Sequence, residues 1–149
     1  MIDPTVRGAQ AADSTQLAWL EREARGSLVG QRGGDRWLLE HLERGEAWAT
    51  TIRERQAWVA HIGDVIVGYI VASFLEDLVR IDEVYVSPEA RELGFGDELL
   101  AIAISSARQR GARTLDGEAL PGDRNTKNLY ERAGIKARLI TVSTPLEPR

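Results

Sequence analysis

The sequence predicts an α/β fold with a mixed, mostly antiparallel central sheet that is flanked by about four helices. Two segments rich in strand formers, at 56–62 and 65–75, flank Gly63 and Asp64, a two-residue turn typical of an antiparallel hairpin. A third strand at 79–86 leads through a glycine-bearing loop into an amphipathic helix. From there the chain alternates strand, helix and strand, which indicates a sheet of mixed direction.

The remaining elements follow from the spacing of apolar side chains and from the positions of glycine. Leu17, Leu20 and Ala24 recur at helical spacing near the start of the chain. Asp123 is expected to cap the last helix, which Gly134 ends. The predicted elements are a strand at 5–9, a helix at 12–25, a loop at 26–34, a helix at 35–45, a helix from 95 to 111, strands at 114–118 and 135–142, and a helix at 123–133.

Composition limits the classes of function. The length of 149 residues fits a single domain over 1–149, and 43 % apolar residues suffice for a core. The absence of cysteine excludes disulfides, a thiolate nucleophile and a cysteine zinc site, and we expect no metal. The net charge of −4 counts against a nucleic-acid partner. Because neither a signal peptide nor a membrane-length apolar run is visible, we expect no membrane association and a cytoplasmic location.

The most informative segment joins the strand at 79–86 to the following helix. Arg91, Gly94 and Gly96 lie in this turn, just before apolar residues at helical spacing. The first turn of a helix has free backbone N–H groups and the positive end of the helix dipole, and glycine lets an anion approach that backbone. The pattern predicts a phosphate site. On these residues alone, an ordinary strand-to-helix turn is an equal alternative.

Two common phosphate-binding motifs fail on named residues. A P-loop needs lysine and then serine or threonine after its last glycine, where this chain has Asp97 and Glu98. A dinucleotide-binding fingerprint needs a third glycine at the position of Leu99. A nucleotide-binding protein that uses this loop is therefore a weaker hypothesis.

The loop resembles the acetyl-CoA pyrophosphate loop of the GNAT superfamily of N-acetyltransferases. The family pattern is Arg or Gln-x-x-Gly-x-Gly or Ala after a strand that ends Val-x-Pro, and the matching residues are Val86, Pro88, Arg91, Gly94 and Gly96. The resemblance implies acetyl-CoA as cosubstrate, with its pyrophosphate beside Arg91 and the backbone of Glu92, Leu93, Gly94, Phe95 and Gly96. It also implies that the pantetheine arm lies along the strand at Val84, Tyr85 and Val86.

Residues 123–134 are similar to a second GNAT motif, Asn-x-x-Ala-x-x-Leu-Tyr-Glu-x-x-Gly-Phe. The matched positions are Leu129, Tyr130, Glu131 and Gly134. The family's asparagine falls on Asp123, so its contact with the cofactor is expected from Asn125 or Asn128 instead. Residues 119–124 are also similar to a group of actinobacterial members of the family, and this similarity implies no particular substrate.

Acetyl transfer to an amine has three chemical requirements. The amine must be neutral, and with an ammonium pKa near 10.4 only about one molecule in a thousand is neutral at pH 7, so a base is useful. The tetrahedral oxyanion needs an N–H donor, which the strand edge at Val84 offers. The leaving thiolate needs a proton, and the resemblance implies that Tyr130 donates it. The alternative for Tyr130 is a side chain that only packs the last helix on the sheet.

Two carboxylates compete for the role of base. Glu83 shares a strand face with Ile81 and Tyr85 if the strand alternates regularly. The resemblance implies an alternative, because members of the family often have a bulge in this strand, and a bulge would change that face. Glu118 lies five positions before Asp123 and matches a glutamate proposed as base in ribosomal-protein acetyltransferases of the family. Glu83 ranks slightly ahead, because an acidic residue just before this strand end faces the acceptor amine in relatives. For either residue, a solvated or salt-bridged carboxylate is the structural alternative.

The acceptor side of the site is less defined. The four tryptophans are expected in the core, namely Trp19, Trp37, Trp48 and Trp58. The segment 26–37 nevertheless occupies the part of the chain that shapes the acceptor site in relatives. The sequence does not identify the acceptor.

The leading hypothesis is an N-acetyltransferase that moves the acetyl group of acetyl-CoA directly to a primary amine of a small molecule, peptide or protein. The alternative is a non-catalytic acyl-CoA-binding or regulatory module on the same fold. The resemblance also implies a homodimer, in which an exposed strand at 136–142 pairs across the interface.

Overall fold

The computed structural model describes residues 4–147, which form one five-stranded sheet in the order β1-β2-β3-β4-β5. The strands are β1 Thr5–Gly8, β2 Ala57–Ile62, β3 Val65–Leu75, β4 Leu78–Val86 and β5 Thr114–Asp116. Neighbours from β1 to β4 are antiparallel, and β5 is parallel to β4. The predicted mixed, mostly antiparallel sheet is confirmed.

Five α-helices flank the sheet over residues 4–147, where about four were predicted. They are α1 Ser14–Gly26, α2 Gly34–Glu40, α3 Trp48–Arg53, α4 Phe95–Gln109 and α5 Arg124–Arg132. None of these helices has the length and apolarity that crossing a membrane requires. The predicted helix at 35–45 ends at Glu40, and α3 was not predicted. This six-residue helix has too few apolar positions for a periodic signal, and it forms because Trp48 and Ile52 are buried against α1.

The two faces of the sheet carry different helices. On one face, α4 buries Leu99, Leu100 and Ala103 against Val79 and Ile81 of β4. Burial of each such leucine stabilises the fold by about 1.5–3 kcal/mol. The helix α5 closes this side through Leu129 and Tyr130, which belong to the same hydrophobic cluster.

On the other face, α1 and α3 pack on the strands. The helical spacing of Leu17, Leu20 and Ala24 places these side chains on one face of α1, where they are buried. They belong to the same cluster as Tyr69 and Tyr85 of the sheet. The two faces therefore have separate cores, and β4 contributes to both.

A β-bulge in β4 decides which face its side chains reach. Val71 pairs with Glu83 and Ala72 pairs with Ile81, so Asp82 is the extra residue. Ile81 packs in the α4 core, whereas Tyr85 packs in the α1 core, and Glu83 contacts Tyr69 on the same side as Tyr85. Of the two alternatives, the structure has the bulged strand, so Glu83 and Tyr85 share a face and Ile81 lies on the other.

The predicted strand at 135–142 is absent from the structure. Residues 135–147 have no regular secondary structure, and Leu139, Ile140 and Val142 are 80–89 % exposed. Strand formers become a strand only when a neighbouring strand pairs with their backbone, and no described strand does so here. The predicted strand at 114–118 likewise ends early, at Asp116.

Asp13 ties β1 to the start of α1. Its carboxylate accepts hydrogen bonds from Arg7 Nη1 at 2.7 Å, from Arg7 Nη2 at 3.0 Å and from the backbone N–H of Gln10 at 2.7 Å. Asp13 is 6 % exposed, and the Arg7 guanidinium holds the pKa of its carboxyl below the ordinary value.

We expect Asp13→Asn to lower the free energy of unfolding by about 1.5–3 kcal/mol at pH 7, because Arg7 loses a charged acceptor. The pKa of Asp13 is lower in the folded state than the unfolded value of about 3.9. Its contribution is therefore complete above that value and is lost as the pH falls through the folded pKa. Urea unfolding at pH 7 and at about pH 2.5 measures the effect.

Asp64→Asn, in the exposed β2–β3 turn, is the matched control and should change the free energy of unfolding little at either pH. An Asp13→Asn deficit of equal size at both pH values would contradict the assignment.

Candidate active site

A cleft opens where β4 and β5 separate. The two strands pair only between Leu78–Arg80 and Thr114–Asp116, and beyond this point no strand among residues 4–147 covers that edge of β4. The cleft has a volume of about 760 Å³. Its lining residues come from 82–86 of β4, from 90–97 with the start of α4, from 118–132 with α5, and from the end of α1, the loop after it and α2.

One wall of the cleft carries free backbone N–H groups. The turn before α4 uses two left-handed residues, Glu92 at φ 66° and Gly94 at φ 88°. The first helical hydrogen bond of α4 joins Glu98 N to Gly94 O at 3.1 Å, so the N–H groups of residues 95–97 precede it. Together with the helix dipole, this geometry suits an anion.

Gly96 leaves this backbone uncovered. A Cβ built on Gly96 would lie 3.6 Å from Leu129 Cδ1, which is an ordinary contact. The protein itself has room for a methyl group there, so the glycine is not required by internal packing. Its absence of a side chain exposes the first turn of α4 to the cleft.

Arg91 is fixed beside this loop. Its Nε donates to the carbonyl oxygen of Val86 at 2.9 Å, and its guanidinium lies 5.6 Å from the centre of the Tyr85 ring. The bond occupies one lone pair of the Val86 carbonyl, which was predicted to pair with the pantetheine arm. The guanidinium remains part of the cleft wall.

Most of the residues predicted to contact the cofactor line the cleft. These are Val84, Tyr85, Val86, Arg91, Glu92, Gly94, Phe95, Gly96, Asn125 and Asn128. Two further predicted contacts, Leu93 and Tyr130, do not line it. The side chain of Leu93 is 41 % exposed. Its backbone belongs to the loop all the same.

Asp123 caps α5, as the sequence predicted. Its Oδ1 accepts from the backbone N–H of Thr126 at 3.1 Å, and its Oδ2 accepts from the Thr126 hydroxyl at 2.7 Å. The carboxylate that replaces the family's asparagine is therefore held by the helix start.

Tyr130 lies behind the cleft wall and does not line it. The residue is 8 % exposed, and its hydroxyl rests against Gly117, where an added Cβ would lie 2.5 Å from Oη. Burial raises the pKa of Tyr130 above the ordinary value, and the charges of Glu118 and Asp123 raise it further. The hydroxyl is protonated throughout the neutral range, and it has no hydrogen-bond partner among residues 4–147.

Glu83 reaches the cleft from the sheet and is held on two sides. Its Oε1 accepts from Arg44 Nη1 at 2.6 Å, and its Oε2 accepts from the Tyr69 hydroxyl at 2.7 Å. The side chain of Glu83 is 10 % exposed. Burial, and then the charge of Glu83, raise the pKa of Tyr69, so its phenol stays a donor.

Behind Arg44 lies a second carboxylate, Glu21 of α1, which is 1 % exposed. Glu21 accepts from the backbone N–H and the Nη1 of Arg44, from Gly45 N and from Trp48 Nε1. Sequence reasoning missed this group. A signal was present, since Glu21 lies four residues after Leu17 on the apolar face of α1, and a carboxylate on a buried face needs a partner.

Glu118 has a different environment from Glu83. It is exposed, it lines the cleft just after β5, and no side chain or backbone group among residues 4–147 bonds to it. The two predicted base candidates therefore lie on opposite walls, one bonded on both oxygens and one free.

The remaining wall is formed by the end of α1, the loop after it and α2. Leu28, Gln31 and Trp37 line the cleft there, and Leu120 lies next to this loop, where a Cβ built on Gly33 would be 3.3 Å from Leu120 Cδ2. Gln31 Nε2 donates to Ser27 O at 2.8 Å, whereas its buried Oε1 has no partner in the described chain. This wall offers apolar surface and one unpaired acceptor.

The expectation that all four tryptophans lie in the core holds for two of them. Trp48 and Trp58 are buried, as predicted. Trp19 is 70 % exposed, and Trp37 belongs to the cleft wall, where it stacks on His41 with ring centres 4.3 Å apart. Among residues 4–147, no group of three or more His, Asp or Glu side chains is placed to hold a metal ion.

Two relatives found by sequence are both named as N-acetyltransferases. The protein named Probable N-acetyltransferase camello, from Xenopus tropicalis, is 32 % identical over 88 residues, which are 57 % of this chain and 40 % of the relative. The Uncharacterized N-acetyltransferase YvbK of Bacillus subtilis is 28 % identical over 102 residues, which are 68 % of this chain and 59 % of the relative. The chain thus spans less than two thirds of either protein.

Solved structures agree on the fold. The PaiA N-acetyltransferase of Thermoplasma acidophilum, determined in complex with coenzyme A, superimposes with a TM-score of 0.78 at 17 % identity over 92 % of both chains. At this identity the likeness establishes the fold alone. A family model described as "Acetyltransferase (GNAT) family" matches residues 15–135, most of the chain. With the two sequence motifs in the walls of one cleft, this match shows that the chain belongs to the GNAT family of acetyltransferases.

Proposed function

We propose that this protein transfers the acetyl group of acetyl-CoA directly to a primary amine. The observation that carries the proposal is the uncovered first turn of α4 at the mouth of the gap between β4 and β5. This gap combines an anion site with an unpaired strand edge, which are the two features that a pyrophosphate and an amide-bearing arm require.

The cosubstrate is proposed to lie across both features. The pyrophosphate contacts the backbone of residues 92–96, with Arg91 beside it. The pantetheine arm runs along Val84–Val86, and Asn125 and Asn128 face it from α5. The coenzyme A in the similar PaiA structure supports this assignment.

The reaction needs no covalent enzyme intermediate. The lone pair of the neutral amine attacks the thioester carbonyl carbon, and the N–H of Val84 stabilises the oxyanion that forms. The carbon–sulfur bond then breaks, and CoA leaves as a thiolate that takes the phenol proton of Tyr130. The nitrogen, which became cationic on attack, loses its second proton, and this proton returns through solvent to the Tyr130 phenolate. Tyr130 is the proposed proton donor to the thiolate, since its phenol is protonated and unpaired where β5 meets the cleft wall.

The hydrogen bonds of the two glutamates favour Glu118 as the group that receives the proton of the amine. Both oxygens of Glu83 already accept a strong hydrogen bond, and a proton on Glu83 would displace Arg44 or Tyr69. Glu118 has no such bond. Its neighbour Gly117 contacts the Tyr130 hydroxyl, and the charge of Glu118 acts on that phenol and raises its pKa.

A non-catalytic acyl-CoA-binding module is the second candidate. What favours it is the position of Tyr130 behind the cleft wall. Such a module would bind CoA and would release no thiol with any amine.

The proposal also includes a homodimer. The side chains of Leu139, Ile140, Val142 and Leu146 are 80–93 % exposed in one segment, which is more apolar surface than isolated exposed residues leave. The cytoplasmic location stays a prediction, and so does the absence of a nucleic-acid partner.

Acetyl-CoA should stabilise the protein against heat, whereas ATP and NAD should not. A ligand at about 100 times its dissociation constant adds about 2.7 kcal/mol, a shift of several degrees in Tm. Gly96→Ala should keep the melting temperature of the free protein, because the methyl group fits, and should lose most of the shift, because the methyl group occupies the approach of the phosphate.

Gly26→Ala, at the end of α1 with open space around its Cβ, is the control and should keep the full shift. If acetyl-CoA at millimolar concentration leaves the wild-type Tm unchanged, the proposed function is wrong.

Tyr130→Phe should lower kcat by about 10²-fold or more, the range of general acid catalysis, and leave the acetyl-CoA shift unchanged. Release of CoA thiol in the presence of a panel of primary amines measures kcat. Equal kcat values for the wild type and Tyr130→Phe would show that Tyr130 is not the proton donor. Wild-type protein that binds acetyl-CoA and turns over none of the amines would support the non-catalytic module.

A further inference from the structure

Glu83, Arg44 and Glu21 form one buried chain of charges behind the cleft. Arg44 Nη1 lies 2.6 Å from Glu83 Oε1 and 2.9 Å from Glu21 Oε2. The side chains are 10 %, 19 % and 1 % exposed for Glu83, Arg44 and Glu21. Two carboxylates share one guanidinium, so the group carries one net negative charge in a poorly hydrated place.

Both carboxylate oxygens of Glu21 accept hydrogen bonds. Besides Arg44, it receives the backbone N–H of Gly45 at 3.3 Å and the indole N–H of Trp48 at 3.1 Å. These bonds come from the protein interior, and Glu21 does not reach the cleft. The net negative charge of the three side chains therefore faces the cleft at Glu83.

Arg44 keeps its position independently of Glu83. Both its backbone N–H and its Nη1 bond to Glu21, and its guanidinium carbon lies 4.9 Å from the centre of the Trp48 ring. A side chain anchored in this way presents a fixed donor to Glu83. Tyr69 fixes the second oxygen at 2.7 Å, so the carboxylate has one orientation.

Each carboxylate oxygen can accept more than one hydrogen bond, and Glu83 lines the cleft. Its remaining lone pairs are open to a donor that enters from the cleft. An ammonium group suits this place for two reasons. It donates N–H groups to the open lone pairs of Glu83, and its positive charge balances the net negative charge of Glu83, Arg44 and Glu21.

We propose that Glu21 and Arg44 are positioning residues that hold Glu83 as the binding group for a cationic acceptor, which enters as an ammonium ion. The inference rests on the proposed function and narrows its substrate class to amines without a carboxylate near the reacting nitrogen. Glu83 binds the ammonium ion, and the proton leaves toward Glu118.

The test is calorimetric binding of 1,4-diaminobutane to the protein saturated with CoA, with 4-aminobutanoate as the matched probe in which a carboxylate replaces the second ammonium group. The wild-type protein should bind the diamine at least about tenfold more tightly than the amino acid, and added salt should weaken this binding. Glu83→Gln should weaken diamine binding about tenfold and leave CoA binding unchanged.

The role of Arg44 is tested through Glu83. Arg44→Met should weaken diamine binding, but in the Glu83→Gln background it should change the dissociation constant less than about twofold, because a residue that acts through Glu83 has no further effect once the charge is gone. Removing one partner of a buried ion pair destabilises a fold. If Arg44→Met does not fold, the wild type and Glu83→Gln still decide through the ratio of their dissociation constants for the diamine and for 4-aminobutanoate.

Arg36→Met, which removes an exposed arginine paired with Glu40, is the charge control and should bind the diamine as the wild type does. Three results would overturn the inference while CoA binding is normal. They are equal binding of the two probes, no loss in Glu83→Gln, and an independent loss in the double variant. Failure of the wild type to bind CoA would instead overturn the proposed function, and this inference with it.

Discussion

The parallel pairing of β4 with β5 lasts for only three residues, and the rest of the site depends on where it stops. Beyond Arg80, β4 keeps its bonds to β3 and leaves its other edge free. Beyond Asp116, the chain leaves the sheet, and from Glu118 onward it lines the opposite wall of the cleft. A longer ladder would fill the gap with backbone, and the start of α4 would then border a closed sheet.

The bulge at Asp82 decides which face of the sheet the end of β4 presents to the cleft, since it shifts the register of the strand. Without it, regular alternation would direct Glu83 toward α4, away from Arg44 and Tyr69. With it, Glu83 reaches the charged group that α1 and the segment before α3 build. Two walls of the cleft therefore differ in character: the α4 wall is lined by neutral N–H groups, and the β4 wall carries a buried negative charge.

The sequence was informative wherever a signal is local. The turn at 91–96 and the cap at Asp123 depend on residues a few positions apart, and both were predicted correctly. The strand at 135–142 was wrong, and the sequence left the face of Ile81 open between a regular and a bulged strand, because pairing and bulges depend on a distant partner. Arg44 and Tyr69 were missed for the same reason, since 39 and 14 residues separate them from Glu83. Only Glu21 left a local trace, as an acid on an apolar helix face.

The contact between Gly117 and Tyr130 links two positions that are 13 residues apart in the numbering of the chain. A side chain at 117 would occupy the space of the phenol ring, and a larger ring at 130 would collide with the backbone of 117. Neither position is free to change alone. Among homologues that keep this geometry, positions 117 and 130 should therefore covary. Homologues that lack glycine at 117 should also lack the tyrosine hydroxyl at 130.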